Sequence, residues 1–399
     1  MRISSNSMYN FNVAAMNQLQ AQLAQTQEQA ASGTQLLNAA SDPVAYTQAM
    51  ALKQTDAITN QQAANITSAT NTLSIAGNTM MNATNLLQSI RSNAISVEGS
   101  SVSSGTLTTM ASTLRGQLQQ LIGLANSTDG TGNYLFAGFH SGSAPFSVNA
   151  SGTVVYSGDT GQQLVQASSA RQIPVNDNGA SVFMNIKNGN GTFATKAAAA
   201  NTGTGTIDVG SVTNPATLTG DNYSIAFSVS GGVTTYTVTD TTTSSVVMSA
   251  QPYTSGQSIS FAGMQVSITG APASGDTFTV APSTNQSVFQ SISNIITALQ
   301  SGNSTTATNA ISGNGLQNID NALNHFSSLE ASQGLRLNEL SMLQTASTNM
   351  DVQLKQNIST LQDTNYTATI TALNQQQLAL QAAQKSYAQV ASLSMFTYL

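Results

Sequence analysis

The last 65 residues of the chain decide its fold, because they contain neither glycine nor proline. From Leu335 to Leu399 they read LRLNELSMLQTASTNMDVQLKQNISTLQDTNYTATITALNQQQLALQAAQKSYAQVASLSMFTYL. Glycine and proline are the residues that most often end a helix, so this stretch is free to be helical throughout. A single straight helix of this length would reach about 95 Å, at about 1.5 Å per residue. We therefore expect a long carboxyl-terminal helix that contains one or more kinks.

Both ends of the chain carry apolar residues at the alternating spacings of three and four that are typical of a coiled-coil seam. The predicted seam residues are Met16, Leu19, Leu23, Leu354, Leu361, Leu373, Leu380 and Tyr387. Glutamine, serine, threonine and asparagine fill much of the remaining surface, so each helix gains little from burying its narrow stripe alone. We expect the two ends to pair with each other and with other copies of the chain.

Residues 45–128 predict further helices. Asp42-Pro43 is a start signal, because the aspartate can accept from free N–H groups and proline suits the first helical position. The loop from Ser96 to Thr106 separates two helical faces, one of which includes Leu73 and the other Leu114.

The middle of the chain changes to the two-residue period of β-strands. Six of the seven prolines lie between residues 145 and 282. Val154–Tyr156 predicts a hairpin with Leu164-Val165, and the alternating run 223–229 predicts a second one that turns at Gly231-Gly232. The fold class is therefore α+β, with long paired terminal helices, a helix bundle and an inserted antiparallel β domain at 186–282. A disordered linker is the alternative for the insert, but linkers rarely alternate so regularly.

Composition excludes several classes of function. Only 7% of the residues are charged and the net charge is −6, so no basic stripe is available to bind nucleic acid. No apolar run is long enough to predict membrane insertion, and asparagines and glutamines interrupt the amino terminus too often for a secretory signal peptide. The absence of cysteine removes disulfides and thiolate sites, and it is compatible with a secreted protein.

No motif for catalysis, metal binding or cofactor binding is complete. The two histidines, His140 and His325, lie far apart in the sequence and have no suitably spaced acidic partners. Gly138–Gly142 places serine one position too late for a nucleophile elbow, and Asp129–Tyr134 lacks the glycine and the final glutamate of a calcium loop. We expect no enzyme activity, no catalytic residue, no metal and no cofactor, and we interpret the chain as an assembly protein.

At both ends the sequence resembles the bacterial flagellin family. The turn at 32–43 (SGTQLLNAASDP), the string at 132–139 (GNYLFAGF), the string at 175–179 (VNDNG) and the ending through 393–399 (LSMFTYL) carry the resemblance. The last three strings are closer to the hook–filament junction branch of the family than to filament flagellin. The motif residues that we single out are Ser32, Gly33, Asp42, Pro43, Asn133, Tyr134, Phe136, Gly138 and Phe139.

The resemblance implies three domains: a terminal coiled coil (1–44 with 356–399), a helix bundle with a β-hairpin (45–185 with 283–355), and the outward insert (186–282). It implies a structural ring that joins the hook, through hook-associated protein 1, to the flagellin filament. It also implies extracellular location after export by the flagellar type III apparatus, without a cleaved signal, and an export chaperone on the carboxyl-terminal segment. One feature departs from the family: Thr34-Gln35 stand where a basic residue is common, which puts any family ion pair there in doubt.

Two alternatives remain open at this stage. The chain could be filament flagellin itself, a possibility that the ending and the 132–139 string disfavour. The insert could also house an enzyme or adhesin activity, although the sequence contains no site for either.

Overall fold

The computed structural model describes residues 5–98 and 102–395. It divides the chain into two compact units. Unit 1 contains residues 1–65 and 342–399, and unit 2 contains residues 66–341.

Helices form the ends of the described chain, as predicted. They are α1 (Ser5–Ser32), α2 (Pro43–Ser96), α3 (Ser104–Ala125), α4 (Val288–Gln300), α5 (Ser304–Ala310), α6 (Leu316–Gln362) and α7 (Tyr366–Met395). The start of α2 follows the sequence signal, because the Asp42 carboxylate accepts from the N–H groups of Val44 and Ala45, both at 3.0 Å. Ser103 and Ser287 cap α3 and α4 in the same way.

The predicted break in the carboxyl-terminal stretch lies at residues 363–365, between α6 and α7. The Asn365 side chain accepts from the N–H of Ala368 at 3.2 Å and so starts α7. The turn after α1 supplies the other partners: the N–H of Gln35 donates to the Gln362 carbonyl at 2.7 Å, and the N–H of Thr364 donates to the Gly33 carbonyl at 3.0 Å. The break is therefore fixed jointly by a local cap and by a partner more than 300 residues away in sequence.

An aromatic cluster lies at the centre of the helical core of unit 2. The ring of Phe183 lies 5.2–5.7 Å, between centroids, from four other phenylalanine rings. These neighbours are Phe136, Phe146, Phe289 and Phe326, all of them buried. Leucines and isoleucines of α2, α3, α4 and α6 complete this core. Phe183 itself lies on a single π-helical turn, Ala180–Met184.

Two short hairpins lie between α3 and the π-helical turn in the sequence, and one of them corrects the sequence prediction. Strand β1 (Phe146–Val148) pairs with β2 (Val154–Tyr156), and β3 (Leu164–Ser168) pairs with β4 (Arg171–Pro174). The predicted pairing of Val154–Tyr156 with Leu164-Val165 is therefore wrong. The turn between β1 and β2 is made by Asn149, whose side chain accepts from the N–H groups of Ser151 and Thr153. The Asn149 turn pairs β2 with the strand that precedes it, β1. Gly158 therefore does not turn β2 back onto Leu164-Val165.

The inserted strands form antiparallel sheets, as predicted. The elements are β5 (Ile186–Lys187), β6 (Phe193–Ala197), β7 (Thr206–Ile207), β8 (Ser211–Val212), β9 (Tyr223–Ser230), β10 (Val233–Asp240), β11 (Ser245–Pro252), β12 (Ser258–Phe261), β13 (Met264–Thr269), β14 (Thr277–Pro282) and β15 (Asn285–Gln286). One sheet has the order β11-β10-β9-β14-β6, and a second has the order β12-β13-β7 with β8 beside β13. The β9–β10 hairpin turns at Gly231-Gly232, which both have positive φ, at +60° and +80°.

The insert has a hydrophobic core of its own. The inward residues of β9 (Tyr223, Ile225 and Phe227) pack with Phe261 and Phe278 in a cluster separate from the helical core. Its two ends meet at the β5–β15 pair, where Lys187 lies opposite Asn285. The insert therefore leaves the helical part of unit 2 and returns to it through adjacent strands.

Candidate assembly surface

In unit 1 the paired terminal helices leave most of the predicted seam residues partly exposed to solvent. Helices α1 and α7 pack along each other, and the rings of Tyr9 and Tyr387 lie 5.5 Å apart between centroids. Of the predicted seam, Leu354 on α6 is buried. The other seven are only half-buried: Met16, Leu19, Leu23, Leu361, Leu373, Leu380 and Tyr387. The pairing of α1 with α7 in one copy therefore leaves part of this apolar surface in solvent.

Unit 1 also exposes large apolar side chains outside the seam. Phe11 on α1 is 74% exposed and Leu378 on α7 is 69% exposed. Further exposed apolar residues of this unit are Val44, Met50, Ile58, Met342, Met350, Val352, Tyr366 and Ile370. Exposed apolar side chains on both paired helices are the surface that a neighbouring chain could cover.

The motif residues at the end of α1 build the turn that meets the α6–α7 break. Gly33 has a φ of +71°, a conformation in which a side chain is strained. Ser32 and Thr34 are joined by a hydrogen bond between their hydroxyl groups at 3.1 Å. Where the family commonly has a basic residue, the backbone carbonyl of Gln35 instead accepts from the Gln29 side chain at 3.0 Å. The local turn is thus held by neutral hydrogen bonds.

The 132–139 string organises a loop beside the aromatic core of unit 2. Asn133 donates to Asp129, and the N–H of Tyr134 donates to the Ser141 carbonyl at 2.8 Å. Phe136 is buried in the aromatic cluster, whereas Phe139 is 63% exposed. Gly138 has a φ of +73°, and a Cβ there would collide with Asp159.

Asp159 receives the backbone of this string. Its carboxylate accepts from the N–H groups of Phe139 and His140 at 2.9–3.1 Å and from that of Gly161 at 2.6 Å. These hydrogen bonds, with that of Phe139 as the largest cause, hold the pKa of Asp159 below its usual value. Nothing in the sequence around Asp159 distinguishes it from the other carboxylates of the chain, and the sequence prediction missed it.

The 175–179 string fastens the hairpin segment to α6. Asn176 accepts from the N–H of Gln163 at 2.7 Å, and Asn178 accepts from that of Ser181 at 2.8 Å. Asp177 accepts from the Arg336 guanidinium at 2.7 Å and from the Gln333 amide at 3.1 Å. The strings of unit 2 are therefore structural supports of the fold.

The candidate chemical groups have structural partners. His140 Nδ1 lies 2.6 Å from Asp159, and His325 Nε2 lies 2.7 Å from the Ser181 carbonyl. The Asp129 carboxylate is occupied by the N–H groups of Thr131 and Asn133. In residues 5–98 and 102–395, no three histidine, cysteine, aspartate or glutamate side chains cluster closely enough to hold a metal ion. No helix in the same ranges has the length and apolar character to cross a membrane.

Paired terminal helices, a helical core and an inserted β domain with a separate core are the architecture that the resemblance to the flagellin family implies. Two family models agree with this class: the bacterial flagellin N-terminal helical region matches residues 3–141, and the D2-like domain of flagellar hook-associated protein 1 matches residues 196–282.

Individual relatives narrow the class further. Flagellar hook-associated protein 3 of Salmonella typhimurium is 33% identical over 186 residues, which are 47% of this chain and 58% of the relative. The match thus spans little more than half the length of this curated relative. The crystal structure of hook-associated protein 3 from Legionella pneumophila has a TM-score of 0.72 at 32% identity and covers 78% of this chain and 97% of its own. That of FlgL from Xanthomonas campestris has a TM-score of 0.71 at 30% identity and covers 77% and 99%.

The chain belongs to the hook-associated protein 3 (FlgL) family of flagellar proteins. The predicted resemblance to the flagellin family, and to its junction branch in particular, is confirmed. Membership of this family of structural flagellar proteins also supports the prediction that the chain is not an enzyme.

Proposed function

We propose that the chain forms a junction ring that joins the hook to the flagellin filament. The observation that carries this proposal is the likeness to junction proteins over nearly their whole length; a Legionella pneumophila structure described as the flagellar junction protein FlgL is covered completely, at 32% identity. On this proposal one side of the ring contacts hook-associated protein 1 and the other contacts flagellin.

Half-burial of the α1–α7 seam supplies the mechanism of assembly. Side chains such as Leu373 and Leu380 lose only part of their contact with water within one copy. A neighbouring copy removes the remaining apolar surface, at about 25 cal/mol per Å². The same contacts order helices that are weakly stabilised alone, so that folding of the ends is coupled to assembly. The low charge of the chain favours this packing, because an unpaired ion buried in an interface is strongly destabilising.

The proposed route to the flagellum is export through the type III apparatus in an unfolded state. Weakly stabilised terminal helices are compatible with threading through a narrow channel, and the absence of cysteine prevents disulfides from forming on the way. An export chaperone would cover the apolar face of the carboxyl-terminal segment, of which Leu378 is an exposed member.

Deletion of the gene tests this function against the filament alternative. We expect bare hooks, with unpolymerised flagellin shed into the medium. Loss of flagellin itself would identify the chain as the filament subunit, and intact filaments would remove it from the axis altogether. Subunit abundance in sheared flagella gives an independent answer, since filament subunits greatly outnumber those of one ring.

Complementation with Leu373→Asp tests the mechanism. A charge in the half-buried seam should abolish incorporation into flagella, while the urea denaturation of unit 2 stays unchanged. Leu373→Met is the matched control, because it keeps the apolar character and the approximate volume. Normal flagella with Leu373→Asp would contradict the proposed coupling.

A further inference from the structure

The terminal helices α1 and α7 carry one charged side chain each, and the two charges are opposite. Glu28 is the only charged residue of α1, and Lys385 is the only charged residue of α7. Both side chains are exposed, and neither makes an ion pair or a hydrogen bond with another described residue. On a helix pair that is otherwise neutral, two such charges are available for electrostatic complementarity with another molecule.

Each charge lies on the side of its helix that faces away from the other helix. Glu28 is two residues from the buried Thr26, which places it about 160° further around α1 at 3.6 residues per turn. Lys385 has the same relation to Tyr387, whose ring contacts Tyr9 of α1. Because α1 and α7 shield each other, Glu28 and Lys385 lie on opposite outer sides of the helix pair.

The two charges also lie at different levels along the pair. The helices run antiparallel, with the contact between Tyr9 and Tyr387 near one end and the turn after α1 meeting the α6–α7 break at the other. Lys385, two residues before Tyr387, is therefore level with Phe11 of α1. Glu28 follows Phe11 by 17 residues, which is about 25 Å along the helix at about 1.5 Å per residue. The two side chains consequently cannot pair within one copy.

We propose that Glu28 of one copy forms an ion pair with Lys385 of the next copy, where the outer side of α1 in the first meets the outer side of α7 in the second. Because the two charges lie on opposite sides of the helix pair, each copy makes this contact twice, once through each charge. A head-to-tail contact of this kind continues from copy to copy, as a ring requires. The inference rests on the proposed junction ring and names a lateral contact within it.

The separation of the charges determines how neighbouring copies are displaced. The next copy must be shifted by about 25 Å along the helices to bring its Lys385 level with Glu28, so the ring is stepped and not flat. An exposed ion pair adds little affinity, but another register would leave both charges unpaired, so the pair acts mainly on register. Apolar side chains such as Leu378, 69% exposed and one heptad before Lys385, supply the affinity.

Charge reversal in cells that lack the chromosomal gene tests the pair. Glu28→Lys and Lys385→Glu each place like charges opposite each other, so we expect about tenfold fewer attached filaments from either one. Combining the two substitutions restores opposite charges and should return attachment to the wild-type level. The defect of each single variant should shrink as the ionic strength of the medium rises. Lys196→Glu, at an exposed strand position of the insert, is the matched control and should attach filaments normally.

A chemical crosslink locates the contact independently of charge. The chain has no cysteine, so a variant with both Glu28→Cys and Lys385→Cys carries only those two thiols. In assembled flagella a short bismaleimide should convert it into a ladder of dimers and larger multimers, detected with an antibody to the chain. Either single-cysteine variant should remain monomeric, because identical positions do not meet in a head-to-tail contact.

Three results would overturn the ion pair. They are normal attachment in both single reversals, a combined reversal that attaches no better than the single ones, and a double-cysteine variant without multimers or a single-cysteine variant with dimers. The junction function would stand in each case, because the gene deletion tests it separately. Intact filaments in the deletion strain would overturn the junction function itself, and with it the contact that rests on it.

Discussion

At the scale of single residues, unit 2 depends on a few polar contacts that are shielded from water. The side chains of Asp177 and Arg336 are only 9% and 12% exposed, and their ion pair measures 2.7 Å. The ion pair between Arg91 and Asp320 is of similar length, 2.6 Å, but its side chains are 40% and 33% exposed. Because water screens the second pair and not the first, equal geometry should not mean equal contribution to stability.

Asp177→Ala should destabilise unit 2 by about 3–5 kcal/mol, because it leaves the Arg336 guanidinium buried without its carboxylate. Asp320→Ala should cost about 0–1 kcal/mol. Urea denaturation followed by circular dichroism measures both. Equal losses in the two variants would contradict the assigned importance of burial.

Asp159 should make the stability of unit 2 sensitive to acid. Its pKa is lowered in the folded chain, mainly by the N–H groups of Phe139 and Gly161, so its contribution is present above the unfolded pKa, about 3.9, and is lost as the pH falls through the folded value. Asp159→Asn should therefore reduce stability at pH 7 and flatten its decline towards pH 3. Thermal unfolding at a series of pH values measures this, with the exposed Glu28→Gln as a charge control. A variant as acid-sensitive as the wild type would refute the assignment.

At the scale of elements, the ends of the long helices are set by turns as much as by helix propensity. The turn at Gly33 hydrogen-bonds the segment between α6 and α7, through Thr364 and Gln362. This pairing fixes where the glycine-free carboxyl-terminal stretch stops being one helix. A residue that disturbs the turn should therefore act on two helix ends together.

Gly33→Ala should destabilise the terminal helices by about 1–2 kcal/mol, because alanine is strained at a φ of +71°. Its Cβ would also lie only 2.9 Å from the Tyr366 hydroxyl. Gly116→Ala in α3 is the matched control: its Cβ would meet nothing within 4 Å, and alanine in a helix interior should add about 0.5–1 kcal/mol. Limited proteolysis and thermal unfolding of both variants measure these opposite changes in stability. A Gly33→Ala variant as stable as the wild type would show that the Gly33 turn does not stabilise the terminal helices.

At the scale of the whole molecule, the β insert is connected to the helical part of unit 2 through adjacent strands. Its apolar residues form a cluster separate from that of the helices. Asparagines outside the insert add hydrogen bonds to it: Asn318 accepts from the N–H of Gly189 at 2.8 Å, and Asn309 donates to the Gly205 carbonyl at 2.9 Å. These amides can exchange those bonds for bonds to water.

Replacement of residues 188–284 by an Asn-Gly turn should therefore leave the helical core of unit 2 folded, since Lys187 and Asn285 already lie opposite each other in an antiparallel pair. The expected result is a cooperative urea transition with helical content retained. Loss of that transition would mean that the insert is required for the core. If the transition is retained, swimming and hook attachment in cells with the shortened chain would measure what the insert contributes.

Local signals predicted those elements whose causes lie within a few residues. Asp42-Pro43 marked the start of α2, and the paired glycines 231 and 232 marked a hairpin, because capping and positive φ are properties of short segments. The pairing of Val154–Tyr156 was mispredicted because an Asn149 turn competed with a glycine turn of similar local quality. The assembly role of the seam residues stays a prediction, as do the boundaries of the proposed domains.

The sequence by itself determined the class of this protein: glycine-free ends with apolar residues at coiled-coil spacing, an alternating and threonine-rich middle, and a charged fraction of only 7%. Those features are periodic or compositional, and helices and strands respond to them directly. Only the tertiary structure decided which distant residues meet, such as Asp177 with Arg336 and Arg91 with Asp320. Contacts of this kind depend on how two elements pack and in what register. The residues that neighbour each partner in the sequence do not show which distant residue it will meet.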